Sequence, residues 1–170
     1  MLFFDIRSLE ARAESVDAML AASDPVWEAD DVRPVGDGIH VVGRLSAAGH
    51  GRLFFSGSIA GAARSTCRRC LVEVQVSVSE PVQLLFAEAG LDDSDEDDVV
   101  LIPAGARELD LRPAIREEWL LAVPGFALCR EDCKGLCATC GADRNTDACS
   151  CAPAPDARWA GLRDGRTPGS

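Results

Sequence analysis

The amino-acid sequence predicts an α+β protein: an antiparallel β-sheet or partial barrel with one or two packed helices, then a cysteine-rich metal-binding segment. Three observations predict this class. Stretches that alternate apolar and polar residues follow one another with short connections, and one later stretch has helical spacing. Six of the eight cysteines fall between residues 129 and 151. A chain of 170 residues can bury roughly 70% of its unfolded surface, so a metal would secure loops and not replace the core.

The N-terminal stretch predicts a short strand and a helix. Phe3, Phe4 and Ile6 form an apolar strand-like piece. Ser8 is positioned to cap a helix after it, because the next apolar residues recur at helical spacing. The apolar face of this predicted helix consists of Leu9, Ala13, Val16 and Leu20.

The middle of the chain predicts three successive strands. Residues 39–45 alternate apolar and polar, Gly49-His50-Gly51 predicts a turn, and a second strand begins at Leu53. Residues 72–78 place valine at every second position, which predicts one buried and one solvated face. Short connections between successive strands favour antiparallel pairing.

An acidic run and a second helix precede the cysteines. Residues 92–98 contain six acids in seven positions, which predicts a solvated acidic loop over 88–98. Asp110 can cap a helix over 111–123, whose Leu111, Ile115 and Trp119 share one face. We therefore expect a core domain over 1–128, a zinc segment over 129–152 packed on it, and a tail over 153–170.

The cysteine spacing predicts two metal sites. Four thiolates at about 2.3 Å satisfy Zn²⁺, and a C-x2-C turn presents two of them from one loop. The preferred partition groups Cys67, Cys70, Cys129 and Cys133 in one site, and Cys137, Cys140, Cys149 and Cys151 in the other. An alternative partition places one zinc within the six C-terminal cysteines and leaves spare thiols. Tetrahedral sulfur also suits iron, so the identity of the metal stays open.

No catalytic residues are predicted. A site closed by four thiolates has no open coordination position, whereas a catalytic zinc keeps one for water. His40 and His50 lie on or beside predicted strand turns and are expected at the surface. A thioredoxin-like C-x-x-C stands at a helix N-terminus, but Cys70 leads into a strand. Structural disulfides are the alternative if the compartment is oxidising.

The charge pattern argues against a broad electrostatic grip on nucleic acid, because the net charge is −11. We find neither a signal-peptide pattern nor 18 consecutive apolar residues, so we expect a cytoplasmic protein without a membrane partner. Basic residues nevertheless gather near the thiols. They either offset the negative charge of metal–thiolate sites or contact RNA or a protein partner: Arg64, Arg68, Arg69, Arg130, Lys134 and Arg144.

Several motifs together resemble the YceD family, the large ribosomal RNA subunit accumulation proteins. They are Cys67-Arg-Arg-Cys70-Leu71, the helix end at 120–124, Cys133-Lys-Gly-Leu-Cys137-x-x-Cys140-Gly141, and a C-terminal pattern that includes Asn145 and Asp156-x-Arg158-Trp159-x-x-Leu162. The resemblance is to the full-length type with a C-terminal cysteine-rich zinc-binding segment. It spans most of the chain, and the C-K-G-L-C-x-x-C-G stretch is its most specific part.

This resemblance implies a bacterial, non-enzymatic ribosome biogenesis factor that supports 23S rRNA accumulation or processing and 50S assembly. The implied partners are 23S rRNA or a pre-50S particle, with a large-subunit ribosomal protein as another candidate, and no small-molecule substrate. Two alternatives stay open from the residues. One is a thiol- or zinc-dependent enzyme, either an oxidoreductase or a hydrolase; the other is an adaptor that captures a basic protein with its acidic loop.

Overall fold

The computed structural model describes residues 1–28, 32–49, 51–90 and 99–152. Two sheets and two helices make up the fold, which confirms the predicted α+β class. The strands are β1 (Phe3–Asp5), β2 (Glu14–Ala21), β3 (Gly38–Gly49), β4 (Arg52–Thr66), β5 (Glu73–Glu88), β6 (Val99–Ile102) and β7 (Glu108–Asp110). The helices are α1 (Ile6–Ala11) and α2 (Arg112–Ala122), and Pro25–Trp27 forms a 3₁₀ turn.

The main sheet has the order β2-β3-β4-β5-β6. Its first three pairs are antiparallel, as predicted, whereas β5 and β6 run parallel. β4 and β5 pair over the whole length from Arg52↔Ala87 to Thr66↔Glu73. Their connection, residues 67–72, therefore lies at the end of this pair, beyond the residues of β4 that also pair with β3. β1 and β7 form a separate antiparallel pair.

The predicted helix from Ser8 to Leu20 is wrong. α1 ends at Ala11, and its N-cap is Asp5, whose carboxylate accepts the Ser8 N–H at 2.8 Å. Residues 14–21 form β2, paired with β3 along its whole length. Val16 and Leu20 fit helical and alternating patterns equally well. Ala18 is also buried while Met19 is exposed, and this alternation is that of a strand.

Two other boundaries differ from the prediction. Val72 lies outside β5 and is exposed, whereas Val78 is fully buried. Asp110 ends β7 and α2 begins at Arg112, but the Asp110 carboxylate still accepts the Arg112 N–H at 3.0 Å. The acidic run at 92–98, His50 and the 153–170 tail with Trp159 lie outside the described residues. Among the described helices, the longest has 11 residues, too few to cross a membrane.

The core lies where the helices meet the main sheet. α1 contacts β3 and α2 contacts β5, with buried leucine, isoleucine, valine and aromatic side chains between them. Leu111, Ile115 and Trp119 are completely buried, as their shared helical face predicts. Trp27 is also buried and donates its indole N–H to the Ala21 carbonyl at 3.0 Å.

An arginine cluster fastens the start of α2 to the N-terminal region. The Arg112 guanidinium donates to Asp110 at 2.8 Å and to Asp24 at 3.3 Å, and it lies 4.3 Å from the centre of the Phe3 ring. Hydrogen bonds to Asp110, followed by those to Asp24, raise the pKa of Arg112 against the opposing effect of its partial burial. The cluster joins residues that are 88 positions apart in the sequence.

Candidate metal centres

The eight cysteines come together as two groups of four. The first group contains Cys67, Cys70, Cys129 and Cys133, and the second contains Cys137, Cys140, Cys149 and Cys151. Within each group all four Sγ atoms lie within 4.8 Å of one another. This is the grouping of the preferred partition, and it leaves no thiol over.

The sulfur separations fit a tetrahedral metal. Four sulfurs at about 2.3 Å from a central zinc lie about 3.8 Å from one another. The Sγ atoms of Cys67 and Cys133 are 3.9 Å apart, and those of Cys70 and Cys129 are 3.6 Å apart. In the second group Cys140 and Cys149 are separated by 3.5 Å. Each group could therefore hold one metal ion without large movement.

Each group contains the same tight turn. In Cys67–Leu71 the Leu71 N–H donates to the Cys67 carbonyl at 2.9 Å, and in Cys137–Gly141 the Gly141 N–H donates to the Cys137 carbonyl at 2.9 Å. The residue after the second cysteine is left-handed in both, with φ +63° at Leu71 and +73° at Gly141. Glycine adopts this conformation freely, whereas leucine is strained in it.

This pair of turns predicts unequal effects for reciprocal substitutions. Gly141→Leu should destabilise the second turn by about 1–2 kcal/mol, since only a backbone penalty arises where the space beyond the Cα is open. Leu71→Gly relieves the same strain but adds freedom to the unfolded chain, so we expect a net change below about 1 kcal/mol. Zinc competition with a chelator measures both. An equal loss of affinity in the two variants would contradict this interpretation.

Two loops are held against each other around the first group. The Arg69 guanidinium donates to the carbonyls of Glu131 at 3.1 Å and Cys133 at 2.9 Å, and the Arg69 carbonyl accepts the Leu136 N–H at 2.9 Å. Gly135 permits this approach. It has φ +71°, and a Cβ there would lie 2.7 Å from the Arg69 carbonyl oxygen. A larger residue at this position of the C-K-G-L-C motif would clash with the Arg69 backbone, which explains the glycine.

Within each group the cysteines have different pKa values, because their sulfurs have different surroundings. Backbone N–H donation from Cys70 lowers the pKa of Cys67 to about 6, while burial raises that of Cys129 to about 12. Backbone N–H donation from Cys140 and Thr139 lowers the pKa of Cys137 to about 6. Hydrogen bonding with Cys149 raises that of Cys151 to about 12. Metal-free groups therefore keep protons that a bound metal would displace.

These pKa values predict a difference in reactivity in demetallated protein. Cys137 is half-buried and ionised above pH 6, so its alkylation by iodoacetamide should level off above about pH 7. Cys151 is more exposed but protonated, so its rate should still rise with pH through pH 8. Mass spectrometry of labelled peptides measures both. Faster labelling of Cys151 at pH 7 would contradict the assignment, and added zinc should protect both thiols.

The predicted cations have different surroundings. Arg69 holds loops together, Arg64 lies 3.8 Å from Glu73, and Arg130 lies 3.3 Å from Asp132. Among the described residues, no carboxylate lies within 4.0 Å of the charged groups of Arg68, Lys134 or Arg144. Arg144 borders a cavity of about 190 Å³ beside the second group. His40 is exposed on β3, with its Nε2 2.8 Å from an Asp17 oxygen and no part in either group.

Sequence reasoning gave two residues no role at the metal centres, although Asn145 belongs to the C-terminal pattern that resembles the YceD family. Phe126 is 77% exposed, and the Arg68 guanidinium carbon lies 5.5 Å from its ring centre. An aromatic residue three positions before Cys129 was the available signal. Asn145 donates its amide N–H to the Cys133 sulfur at 3.5 Å. Its position between Cys140 and Cys149 placed it near the second group, but nothing in the spacing connected it to the first.

Comparison with known proteins gives a family match that includes both cysteine groups. The family model described as large ribosomal RNA subunit accumulation protein YceD matches residues 55–164. A chloroplastic protein of Zea mays, named large ribosomal RNA subunit accumulation protein YCED homolog 1, is 42% identical over 71 residues, which cover 41% of this chain and 24% of the relative. Uncharacterized proteins of Mycobacterium tuberculosis and Mycobacterium bovis are 31% identical over 109 residues, 63% of this chain and 52% of theirs. The matches thus span from about a quarter to about half of these relatives, and no solved structure matches.

Proposed function

The chain belongs to the YceD family of large ribosomal RNA subunit accumulation proteins, and from this we propose that it is a non-enzymatic ribosome biogenesis factor. In this proposal it supports 23S rRNA accumulation or processing and 50S assembly in the bacterial cytoplasm. It does so by binding a pre-50S particle, through either rRNA or a large-subunit ribosomal protein. The proposal keeps the predicted division into a core domain over 1–128, a zinc segment over 129–152 and a tail over 153–170, of which the last lies outside the described residues.

Two zinc ions, each held by four cysteines, form the structural part of this proposal. Sulfur separations of 3.5–3.9 Å and N–H donors aimed at the sulfurs of Cys133, Cys137 and Cys149 suit thiolate ligands. Zinc prefers such a ligand set, although iron can also use it. A bound ion supplies a cross-link with no open coordination position. The sites therefore stiffen a surface, and the chemistry of the ligands favours a binding role over catalysis.

The observation that carries the binding proposal is a group of cations on the loops of both centres that have no carboxylate within 4.0 Å in the described part of the chain. Arg68 belongs to the first turn, Lys134 follows Cys133, and Arg144 borders the second group. All three are exposed in a chain of net charge −11. Cations that have no carboxylate neighbours are available to phosphate oxygens. The exposed Phe126 ring beside Arg68 adds an apolar surface on which a base can stack.

Three of the six predicted cations have roles within the chain that account for their positions. Arg69 bonds two loop carbonyls, and Arg64 and Arg130 are close to carboxylates. The charge reversal Arg69→Glu would break the contact between the loops, so a folding defect could not be distinguished from lost binding. The proposed contact surface therefore centres on Arg68, Lys134 and Arg144, and Arg64 and Arg130 lie beside the same cysteines.

Charge reversal tests the proposal. The triple variant Arg68→Glu, Lys134→Glu and Arg144→Glu should lose co-sedimentation with pre-50S particles in cells while it keeps its zinc content. If the contact is to phosphates, binding of purified protein to rRNA should weaken, and the slope of log K against log salt should become shallower by about 2. Crosslinking in cells, followed by identification of bound RNA and protein, distinguishes rRNA from a ribosomal protein as the partner.

A charge-matched variant provides the control. Arg7→Glu, Arg12→Glu and Arg44→Glu change the net charge equally at exposed positions on or beside α1 and on β3. α1 lies beside the β3–β4 turn, at the opposite end of β4 from Cys67. This control should bind like the unchanged protein. Equal loss in both triple variants would indicate a net-charge effect and not a local contact, and retained binding in the first would remove these cations from the interface.

A further inference from the structure

A single amide side chain connects the two cysteine groups. Asn145 lies in the loop between Cys140 and Cys149, which both belong to the second group. Its Nδ2 nevertheless lies 3.5 Å from the sulfur of Cys133, a member of the first group. The loop of the second group therefore contributes a hydrogen-bond donor to the first.

The hydrogen-bond donors and acceptors around the Asn145 amide match the positions of its oxygen and nitrogen. Its oxygen accepts the Lys134 N–H at 2.8 Å and an Arg130 N–H at 2.8 Å. Its nitrogen faces two acceptors, the Cys133 sulfur and an Asp143 carboxylate oxygen at 2.6 Å. The reverse orientation would set donors against donors and an oxygen against a sulfur and a carboxylate. The hydrogen-bond network thus selects the N–H···S contact.

The backbone around Asn145 joins the same two regions. The Arg144 N–H donates to the Gly135 carbonyl at 2.9 Å, and residues 136 and 143 form an isolated antiparallel bridge. Asp143 accepts hydrogen bonds from the backbone N–H groups of Asn145, Thr146 and Asp147. The loop is thus folded against the segment from Cys133 to Cys137. Any interaction that orders the loop between Cys140 and Cys149 therefore also positions the Asn145 side-chain amide.

We infer that Asn145 couples the two metal centres energetically, so that each binds its ion more tightly when the other is filled. A metal ion held by Cys137, Cys140, Cys149 and Cys151 would close the loop that carries Asn145. The closed loop presents an N–H to the Cys133 thiolate, which stabilises that ligand in its metal-binding form. Linkage then requires the reciprocal effect: a filled first centre holds the amide and favours the closed loop. Asn145 is a positioning residue and not a metal ligand.

A four-variant cycle tests this coupling in the full-length protein, using Co²⁺ as a spectroscopic probe and Zn²⁺ competition with a chelator. The four proteins are the unchanged chain, Asn145→Ala, the double variant Cys140→Ser/Cys149→Ser that removes the second centre, and the triple variant that combines them. Asn145→Ala and the double variant should each weaken the first centre by about tenfold or more. The triple variant should show no further loss, because both changes remove one interaction. Additive losses, or no loss in Asn145→Ala, would overturn the inference.

Two further variants separate the N–H···S contact from general support of the loop. Asn145→Asp keeps the oxygen acceptors for Arg130 and Lys134 but has no amide N–H, so it should fail to restore the affinity and should shift the thiolate-to-Co²⁺ charge-transfer band of the first centre. Recovery in Asn145→Asp would leave Asn145 only a loop anchor and refute the coupling role. Thr146→Ala removes only a 3.4 Å contact to the Asp143 carbonyl in the same loop and should behave like the unchanged chain.

This inference rests on the proposal that both groups bind metal, and the two can fail separately. An unchanged chain that binds no Co²⁺ or Zn²⁺ with thiolate coordination would refute the metal centres themselves. Two ions bound independently would leave the centres in place and refute the coupling. Two ions bound cooperatively, with loss of cooperativity in Asn145→Ala, is the expected result.

Discussion

Replacement of Cys67 by serine is expected to reduce the zinc content from two ions per chain to one and to release the loops around the first centre. Cys67 is completely buried, and its N–H donates to the Val72 carbonyl at 2.9 Å. A serine hydroxyl is a poor zinc ligand, and structural zinc sites in small zinc-finger peptides contribute about 10–16 kcal/mol. The main sheet should remain folded because its core is separate from the cysteines.

Elemental analysis and hydrogen exchange measure this result. Protection of the Arg68 and Leu136 amides, which bridge the loops, should fall sharply, while central amides of β3 and β4 keep theirs. Cys140→Ser is the matched control: it should also lose one zinc but leave the Arg68 amide better protected. Two zinc ions retained in Cys67→Ser would contradict the assignment of Cys67 as a ligand.

The same site should bind metal more tightly as the pH rises. Zinc binding requires the thiol of Cys129, whose pKa burial raises to about 12, to lose its proton. Fewer protons compete at higher pH, so affinity increases with pH through the neutral range and falls on acidification. A pH series of the chelator competition, with Cys140→Ser/Cys149→Ser protein to isolate the first centre, measures this slope.

Replacement of Trp119 by alanine is expected to cost about 3–5 kcal/mol in the free energy of unfolding. The indole is completely buried and joins α2 to the sheet: a Cβ added at Gly61 of β4 would lie 3.2 Å from its ring. Alanine leaves a cavity that neither the rigid strand nor the short helix can fill. For a chain of this size the melting temperature should fall by roughly 6–20 °C.

Trp119→Phe is the control for this prediction. It keeps an aromatic ring and removes the indole N–H, which has no hydrogen-bond partner among the described residues. Because loss of an unsatisfied donor is favourable, the cost should stay below about 2 kcal/mol. Thermal unfolding measures both variants, and zinc content should remain unchanged in each. If Trp119→Phe and Trp119→Ala lost the same stability, the volume filled by an aromatic ring would not account for the contribution of Trp119.

The strand and helix patterns were predictable where only one period fits the residues. Across 111–119 only a helix fits, because a strand would place Pro113 and Glu117 on the same face as Leu111, Ile115 and Trp119, and the helix prediction is confirmed. Val16 and Leu20 fit both a helix and a strand, and the helix prediction there was wrong. Pairing with β3 decided between them, and pairing partners come from a distant part of the chain. Local periodicity contains no information about such a partner.

By itself the sequence determined which cysteines lie close together within a loop, because ligand spacing in a loop is a local property. It favoured the four-and-four division over one zinc within the six C-terminal cysteines, and the folded chain decided between them by bringing Cys129 and Cys133 to Cys67 and Cys70. Tertiary structure alone decided what the neighbouring polar residues do. Arg69 reaches Cys133 across 64 positions, and Asn145 reaches the sulfur of the other centre. Arg68 and Arg69 are adjacent in the sequence and both exposed, yet Arg68 lies beside Phe126 whereas Arg69 joins two loops. Directional hydrogen bonds depend on where distant backbone carbonyls lie, and only the folded chain specifies this.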